Sequence, residues 1–250
     1  MPVLPDMNDI FLEIHTDLVR EAPGGDEYTR KAFQMLPPLS KPNILDVGCG
    51  PGAHTLELAR LTDGTITAID THQPYLDRLQ AAAEAAGFQD RITGLNQTMS
   101  SLPFPRSHFD LIWAEGSIYI IGFETGLTDW KLCLKPDGYL VVSELVWLRE
   151  NPPSEVAEFW GENYPGMKQL AQVPEMISRC GYQLLDHFTI PETGWTDYYD
   201  GVESRINTLS DIYNNDDEAR EVLEMERQEI EMYRKYKDWY GYEFFVMKLK

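Results

Sequence analysis

The sequence predicts an α/β fold, and two observations carry that prediction. Short apolar runs at Asn43–Val47, Thr65–Ile69, Arg91–Leu95, Phe109–Ala114 and Tyr139–Leu145 alternate with stretches of helical character. Such alternation is the pattern of strands joined by crossover helices. The first of these runs leads straight into three glycines, Gly48, Gly50 and Gly52, and then into a helix. Strand, glycine-rich turn and helix in that order form the opening unit of many α/β sheets.

The elements follow in order. Residues 5–36 read as helical with a break at Ala22-Pro-Gly-Gly-Asp26, where Asp26 can cap a helix over Glu27–Met35 before Pro37-Pro38 ends it. His54–Leu61 is a helix with Leu56, Leu58, Ala59 and Leu61 for burial. Pro74–Ala86 begins with proline, has an alanine-rich body and stops at Gly87. Thr125–Leu134 is a helix, and the turn Lys135-Pro-Asp-Gly138 precedes the strand from Tyr139. Beyond residue 146 the pattern loosens. Helices are expected at Ser154–Glu162 and Pro174–Cys180 and strands at Tyr182–Ile190 and Tyr242–Leu249. Residues 191–240 form an aromatic and acidic stretch, mainly helical from Asp217 to Lys237. Three segments are expected: a helical lid over 1–40, a ligand-binding core over 41–146, and, over 147–250, the rest of the sheet with an aromatic cap.

Composition narrows the function. The chain has 250 residues and a net charge of −20, which disfavours phosphate backbones and anionic membranes as partners. No window has the ~18 consecutive apolar residues that span a bilayer, and the N-terminus lacks a basic region followed by an apolar run. Cys49, Cys133 and Cys180 are far apart and odd in number, which predicts neither a disulfide framework nor a zinc site and favours a reducing, cytoplasmic setting. No spacing of histidines and carboxylates resembles a metal site.

The glycine turn carries the chemistry. Glycine tolerates positive φ and has no Cβ to hold a ligand off the backbone, and the start of the following helix can offer unpaired amides. Asp70 ends the second strand, 18 residues after Gly52, where a carboxylate can accept both ribose hydroxyls of a nucleoside. The spacing is Gly-x-Gly-x-Gly, with Asp46 two residues before the first glycine. A pyrophosphate-binding turn has Gly-x-Gly-x-x-Gly, and an aspartate beside it would repel the phosphates. Asp46 suits the ammonium of an amino acid instead. A nucleoside bearing an amino acid is S-adenosyl-L-methionine.

The stretch Ile44–Thr55, the strand ending Ala68-Ile-Asp70, Ser101-Leu-Pro-Phe104 and Phe109–Gly116 resemble the class I S-adenosylmethionine-dependent methyltransferases. They are most similar to the small-molecule branch that includes ubiquinone- and menaquinone-biosynthesis enzymes. Glu115–Phe123, Leu134–Gly138, Ser143-Glu144, Gly194–Tyr199 and Tyr236–Gly241 resemble a subgroup of that branch with no assigned substrate. The resemblance implies a Rossmann-like, doubly wound, mostly parallel seven-stranded sheet. It implies that Asp46 and the Gly48-Cys49-Gly50 backbone hold the methionine part, that Asp70 holds the ribose, and that Thr71 and His72 border the adenine. Tyr28 and Thr29 would close over the methionine end, and Glu115 and Gly116 would lie beneath the sulfonium. Many relatives have an aspartate for the adenine amino group where this chain has Thr98 followed by Met99, so Thr98, its backbone or Asn96–Gln97 takes that place.

Methyl transfer from a sulfonium is an in-line displacement in which the protein aligns the groups, excludes water and removes a proton where needed. Glu115 is the candidate general base and Tyr119 its neighbour toward the acceptor. Tyr119, Trp160, Tyr164, Trp195, Tyr198 and Tyr199 are the candidate acceptor pocket. His187 reads as a structural histidine, and the acids of Asp216–Glu231 as a solvated helix face. The expected partner is a small molecule, and a homodimer is compatible with the resemblance. The alternative is a non-catalytic module that only binds S-adenosylmethionine or S-adenosylhomocysteine.

Overall fold

Strands that read as unbroken apolar runs end up inside one sheet, because helices cover both of its faces. A computed structural model describes residues 7–250, with side chains from Ile10 onward, so the first residues of the expected lid segment lie outside the described residues. The strands are β1 (Asn43–Val47), β2 (Thr65–Asp70), β3 (Ile92–Asn96), β4 (Phe109–Glu115), β5 (Leu134–Trp147), β6 (Lys168–Gln169), β7 (Tyr182–Thr189) and β8 (Tyr240–Leu249). Their spatial order is β3-β2-β1-β4-β5-β8-β7, with the two-residue β6 beside β5. From β3 to β5 all pairs are parallel; β8 runs antiparallel to both β5 and β7. The strand order reverses between β1 and β4, and the crevice at such a switch point is where ligands settle in open α/β sheets.

Alternation along each strand divides the core in two. In β4, Leu111 and Trp113 join one cluster, Ile112 and Ala114 the other; in β8, Phe244 and Phe245 split the same way. The helices are α1 (Met7–His15), α2 (Asp26–Gln34), α3 (Ala53–Leu61), α4 (Gln73–Ala86), α5 (Phe123–Trp130), α6 (Ser154–Asn163), α7 (Val173–Arg179), α8 (Glu192–Ile212) and α9 (Asp217–Tyr236). Local chemistry sets their ends. In α4, Pro74 sits in the first turn, and Gly87 stops the helix at φ 76°. In α9, the Asp216 side chain accepts from the Ala219 amide at 3.0 Å, with acids in the first turn and Arg234 and Lys235 in the last.

Three elements, β5, α5 and α8, differ from the sequence expectation. β5 begins at Leu134, not Tyr139, because Leu134 already pairs with Phe109. The Lys135–Gly138 turn is absorbed as an irregularity, with Asp137 at φ 61° and a register shift between Phe109 and Leu111. α5 accordingly stops at Trp130, short of Leu134. α8 is a 21-residue helix in a stretch that showed no element before Asp217. Gly194 and Gly201 obscured it. Both are places of close approach: a Cβ on Gly194 would lie 2.6 Å from Ile190 Cγ2, and one on Gly201 3.0 Å from Leu18 Cδ2.

The N-terminal segment divides between two layers. α2 packs on α3 and β8, while α1 packs on α8 and α9. The α1, α8 and α9 assembly faces the strand ends of β1 and β4 across a cavity of about 920 Å³.

Candidate functional site

The glycine turn forms one wall of this cavity. Gly48 takes φ 72°, and a Cβ there would fall 2.5 Å from the Ser117 Cβ, so only glycine fits. Ser117 is itself fixed by donating to the Val47 carbonyl at 2.6 Å. The amides of the turn itself are partnered, while among the described residues those of Ala53, His54 and Thr55 at the start of α3 have no partner, as a helix start leaves them. Gly48 and Cys49 N–H both donate to the Ile69 carbonyl, and Gly50 N–H donates to Asp70 Oδ2 at 2.9 Å. What the turn can offer a ligand is carbonyl oxygen and bare Cα surface, which suits a cation better than an anion. The Cys49 thiol is fully buried, and burial together with the charges of Asp46 and Asp70 pushes its pKa well up, so it stays protonated.

Asp70 is the fixed carboxylate of this wall. Oδ2 accepts from Gly50 and Oδ1 from the His72 amide at 2.9 Å. Each oxygen keeps a second lone pair, and the side chain lines the cavity. Thr71, His72, Gln97, Thr98 and Met99 continue the lining beside it.

Asp46 is placed differently from the sequence expectation. It is 0% exposed and does not line the cavity. Thr55 Oγ1 donates to its Oδ2 at 2.5 Å, and His54 Nε2 lies 3.1 Å from its Oδ1. His54 does line the cavity and stands between Asp46 and that space. Burial works against a charge on His54, but the carboxylates of Asp46 and Glu115 outweigh it and raise its pKa above the ordinary value.

Glu115 lines the cavity at the end of β4, yet its carboxylate is already engaged. Thr29 Oγ1 donates to Oε1 at 2.7 Å, Trp113 Nε1 to the same oxygen at 2.9 Å, and Arg20 Nη1 lies 3.2 Å from Oε2. Arg20 also reaches Asp26 at 2.5 Å. The next residue, Gly116, sits at φ 61°, where a Cβ would come 2.3 Å from the Ala22 Cβ. The chain between α1 and α2 thus lies directly on the end of β4. Thr29 and Tyr28 support this closure from behind, Tyr28 through a 2.6 Å hydroxyl contact with Thr193; neither lines the cavity.

The remaining walls are aromatic. Of the six aromatic residues named from the sequence, Tyr119, Trp160, Tyr164, Trp195 and Tyr198 line them, and Tyr199 does not. Tyr199 stands one layer out and donates to Glu229 Oε1 at 2.9 Å. Trp195 stacks on Tyr233 at 4.2 Å and lies 5.4 Å from Tyr242, which also faces the cavity. The Tyr164 hydroxyl donates at 2.5 Å to Glu144, a residue 3% exposed in mid-β5. Burial raises the Glu144 pKa to about 8 against the opposing effect of that hydrogen bond.

Sequence reasoning missed the acids on α9. The helix face is not wholly solvated, because Glu226 and Glu229 line the cavity. Burial and the neighbouring Glu226 charge raise the Glu229 pKa to about 7, while the Tyr199 hydrogen bond and the nearby His15 charge oppose the rise. His15, buried on α1, lies 3.3 Å from Glu21 and 3.6 Å from Glu226. Burial opposes its charge, but hydrogen bonds and charges from both glutamates prevail and raise its pKa to about 9. A signal was present: Val222, Glu226, Glu229 and Tyr233 share one helical stripe at spacings of four, three and four. His187, by contrast, is partnered by Glu243 as a structural histidine would be.

Residues 44–138, from β1 through the turn in β5, match the methyltransferase domain family. Over that span the chain is similar to a methyltransferase domain. Its curated relatives include an O-methyltransferase of Penicillium expansum, 26% identical over 67% of this chain and 62% of the relative. They also include a sterol 24-C-methyltransferase of Pneumocystis carinii, 22% identical over 68% of this chain and 48% of the relative. The chain thus spans about half to three-fifths of the length of these two relatives. A solved S-adenosylmethionine-dependent methyltransferase from Geobacter sulfurreducens, in complex with S-adenosylhomocysteine, superimposes with a TM-score of 0.85 at 21% identity, covering all of both chains. The likeness of fold therefore extends past the methyltransferase domain to α1, α8, α9 and β8, which lie outside residues 44–138.

Proposed function

We propose that this protein transfers the methyl group of S-adenosyl-L-methionine to a small-molecule acceptor. One observation carries the reading. The Asp70 carboxylate is tied to the glycine turn with a lone pair free on each oxygen, at one end of a cavity whose other end is a chamber of aromatic rings. The geometry fits the cofactor part by part. Asp70 would take the ribose, Thr71, Thr98 and Met99 the adenine, and the turn at Gly48–Gly50 the methionine end. The cofactor, when bound, supplies an activated methyl on a sulfonium.

The chain's own residues do the rest. Asp46, screened by His54, contributes its charge without touching the ligand, and acts through the position of His54 and Thr55. Glu115 keeps negative charge near the sulfonium, and its three hydrogen bonds orient it as a fixed carboxylate. Tyr119 stands at the mouth, on the acceptor side. The aromatic chamber excludes water from the displacement. Three buried thiols suit a reducing compartment, and we place the protein in the cytoplasm. Among the described residues no helix is long and apolar enough to cross a membrane.

Calorimetric titration with S-adenosylmethionine, S-adenosylhomocysteine and, as control, NADH tests the cofactor. Micromolar binding of the two adenosyl ligands alone is expected. Binding of NADH with neither adenosyl ligand bound would overturn the reading. Binding without methyl transfer to any of a broad set of small acceptors would favour the non-catalytic module.

A further inference from the structure

The acceptor end of the cavity has two properties that the cofactor end does not explain. The first is uncompensated negative charge. Glu229 lines the chamber, and its one hydrogen bond among the described residues is accepted from Tyr199. Glu226 faces the same space and shares His15 with Glu21, so one imidazolium serves two carboxylates. Arg20, the other cation lining this end, is already held by Glu115 and Asp26. Tyr198, Trp195 and Tyr242 line the cavity beside the acids, and the π face of such a ring attracts a cation.

The second property lies at the mouth. Among the described residues, Phe11, Val19, Tyr119, Ile120 and Met225 are large apolar or aromatic side chains that stay solvent-exposed, and all five border this cavity. An apolar rim of this kind marks a surface that is covered in the working complex. Acidic depth and apolar rim together describe one ligand with two ends.

We propose that the acceptor is an amine on an apolar body, with its nitrogen seated between Glu229, Glu226 and the Tyr198 and Tyr242 rings and its body lying across Phe11, Val19, Ile120 and Met225. The inference rests on the methyl-transfer reading and names the substrate class for it. An ammonium forms charge-assisted hydrogen bonds to both carboxylates, relieving their burial. A carboxylate or phosphate in the same place is repelled. An ammonium has no lone pair with which to attack, so one proton first passes from nitrogen to Glu229, whose raised pKa suits that task. The nitrogen–methyl bond then forms as the sulfur–methyl bond breaks. Sulfur keeps the electron pair as a neutral thioether, and the product nitrogen carries the positive charge.

The test uses hexylamine, hexan-1-ol and hexanoate as probes, titrated into the full chain by calorimetry with and without S-adenosylhomocysteine. Hexylamine is expected to bind about tenfold more tightly than hexan-1-ol, with hexanoate weakest, because hydrogen bonds to charged groups exceed neutral ones by that factor. Affinity should rise about two- to fourfold per methylene from ethylamine to hexylamine. Glu229→Gln is expected to abolish the amine-over-alcohol preference while leaving S-adenosylhomocysteine affinity unchanged; Glu226→Gln serves the same purpose if the first variant does not fold. Equal binding of amine and alcohol by the parent chain, or a preference that survives both substitutions, overturns the amine head. A flat chain-length series overturns the apolar body. The two failures are distinguishable: S-adenosylhomocysteine that binds without any amine preference removes only this inference, whereas an amine preference in a chain that binds no adenosyl ligand removes the methyl-transfer reading and with it the amine's role as acceptor, leaving an amine site alone.

Discussion

The two ends of the cavity are built on opposite principles. The glycine-turn end is local: β1 and β2 are adjacent strands, every amide from Gly48 to Gly50 has its partner on Ile69 or Asp70 of β2, and Asp70 is held by two backbone donors. The cap end is assembled from distant segments. His15 from α1, Glu144 from β5, and Glu226 and Glu229 from α9 meet around tyrosines, and their polar needs are only partly met: Glu144 Oε2 is buried without a hydrogen bond, and His15 Nε2 has only the long 3.6 Å contact with Glu226. The first end is a rigid seat whose shape is fixed before any ligand arrives. The second is an electrically unfinished wall that a ligand of the right charge would complete. That division matches a protein that holds one common ligand and selects another.

Substitutions can break the contrast. The largest effect is expected for Gly48→Ala, which puts a Cβ at positive φ and 2.5 Å from Ser117. Strain and overpacking together should cost about 3 kcal/mol of stability and abolish adenosyl-ligand binding, measured by chemical denaturation and calorimetry. Asp70→Ala should come next, weakening S-adenosylhomocysteine by about thirtyfold or more, with a loss of about 1 kcal/mol in stability from the freed Gly50 and His72 amides. An unchanged affinity would remove Asp70 from the ribose role.

The cap end should reveal itself through pH. Glu144 and Glu229 have pKa values raised from 4.5 to about 8 and about 7, and His15 from 6.5 to about 9. In each window the folded chain binds more protons than the unfolded one, so stability falls as pH rises. The two glutamates destabilise progressively above about pH 5. The His15 contribution is fully present below 6.5 and is lost on approach to 9. The free energy of unfolding, measured by chemical denaturation, is therefore expected to decline by several kcal/mol in total from mildly acidic to mildly alkaline pH. Glu144→Gln should flatten the decline, and a profile rising through this range would refute the assignment. The smallest effect is expected for Asp216→Ala, which removes the α9 cap for about 1 kcal/mol and should leave the seat for the adenosyl ligand untouched.

The same contrast explains what could be read from the sequence. Strand, turn and helix at Ile44–Thr55, and Asp70 beyond them, are neighbours in sequence or in the next unit, so their spacing carries their geometry. The parallel sheet was legible for the same reason. Asp46 was read as facing a ligand because its sequence position is correct; its enclosure depends on Thr55 and His54 turning back over it. Glu226 and Glu229 were hidden among Glu221, Glu224 and Glu231, chemically identical and close by on the same helix. Only their alignment with Val222 and Tyr233 set them apart. Glu144 was quoted as part of a motif, yet a lone acid within the apolar run Val141–Val146 was itself a sign of unusual burial.

One feature of the sheet bears on how the molecule comes into being. Among the described residues β7 pairs only with β8, and β8 also occupies the edge of β5 left over by β4. During synthesis on the ribosome, β1 through β5 emerge first and can associate, but β7 must wait for a strand made after α8 and α9. Until Tyr240–Leu249 is threaded between them, β5 presents an open, apolar edge. That nascent intermediate is the stage at which chaperone capture or self-association would act on this chain.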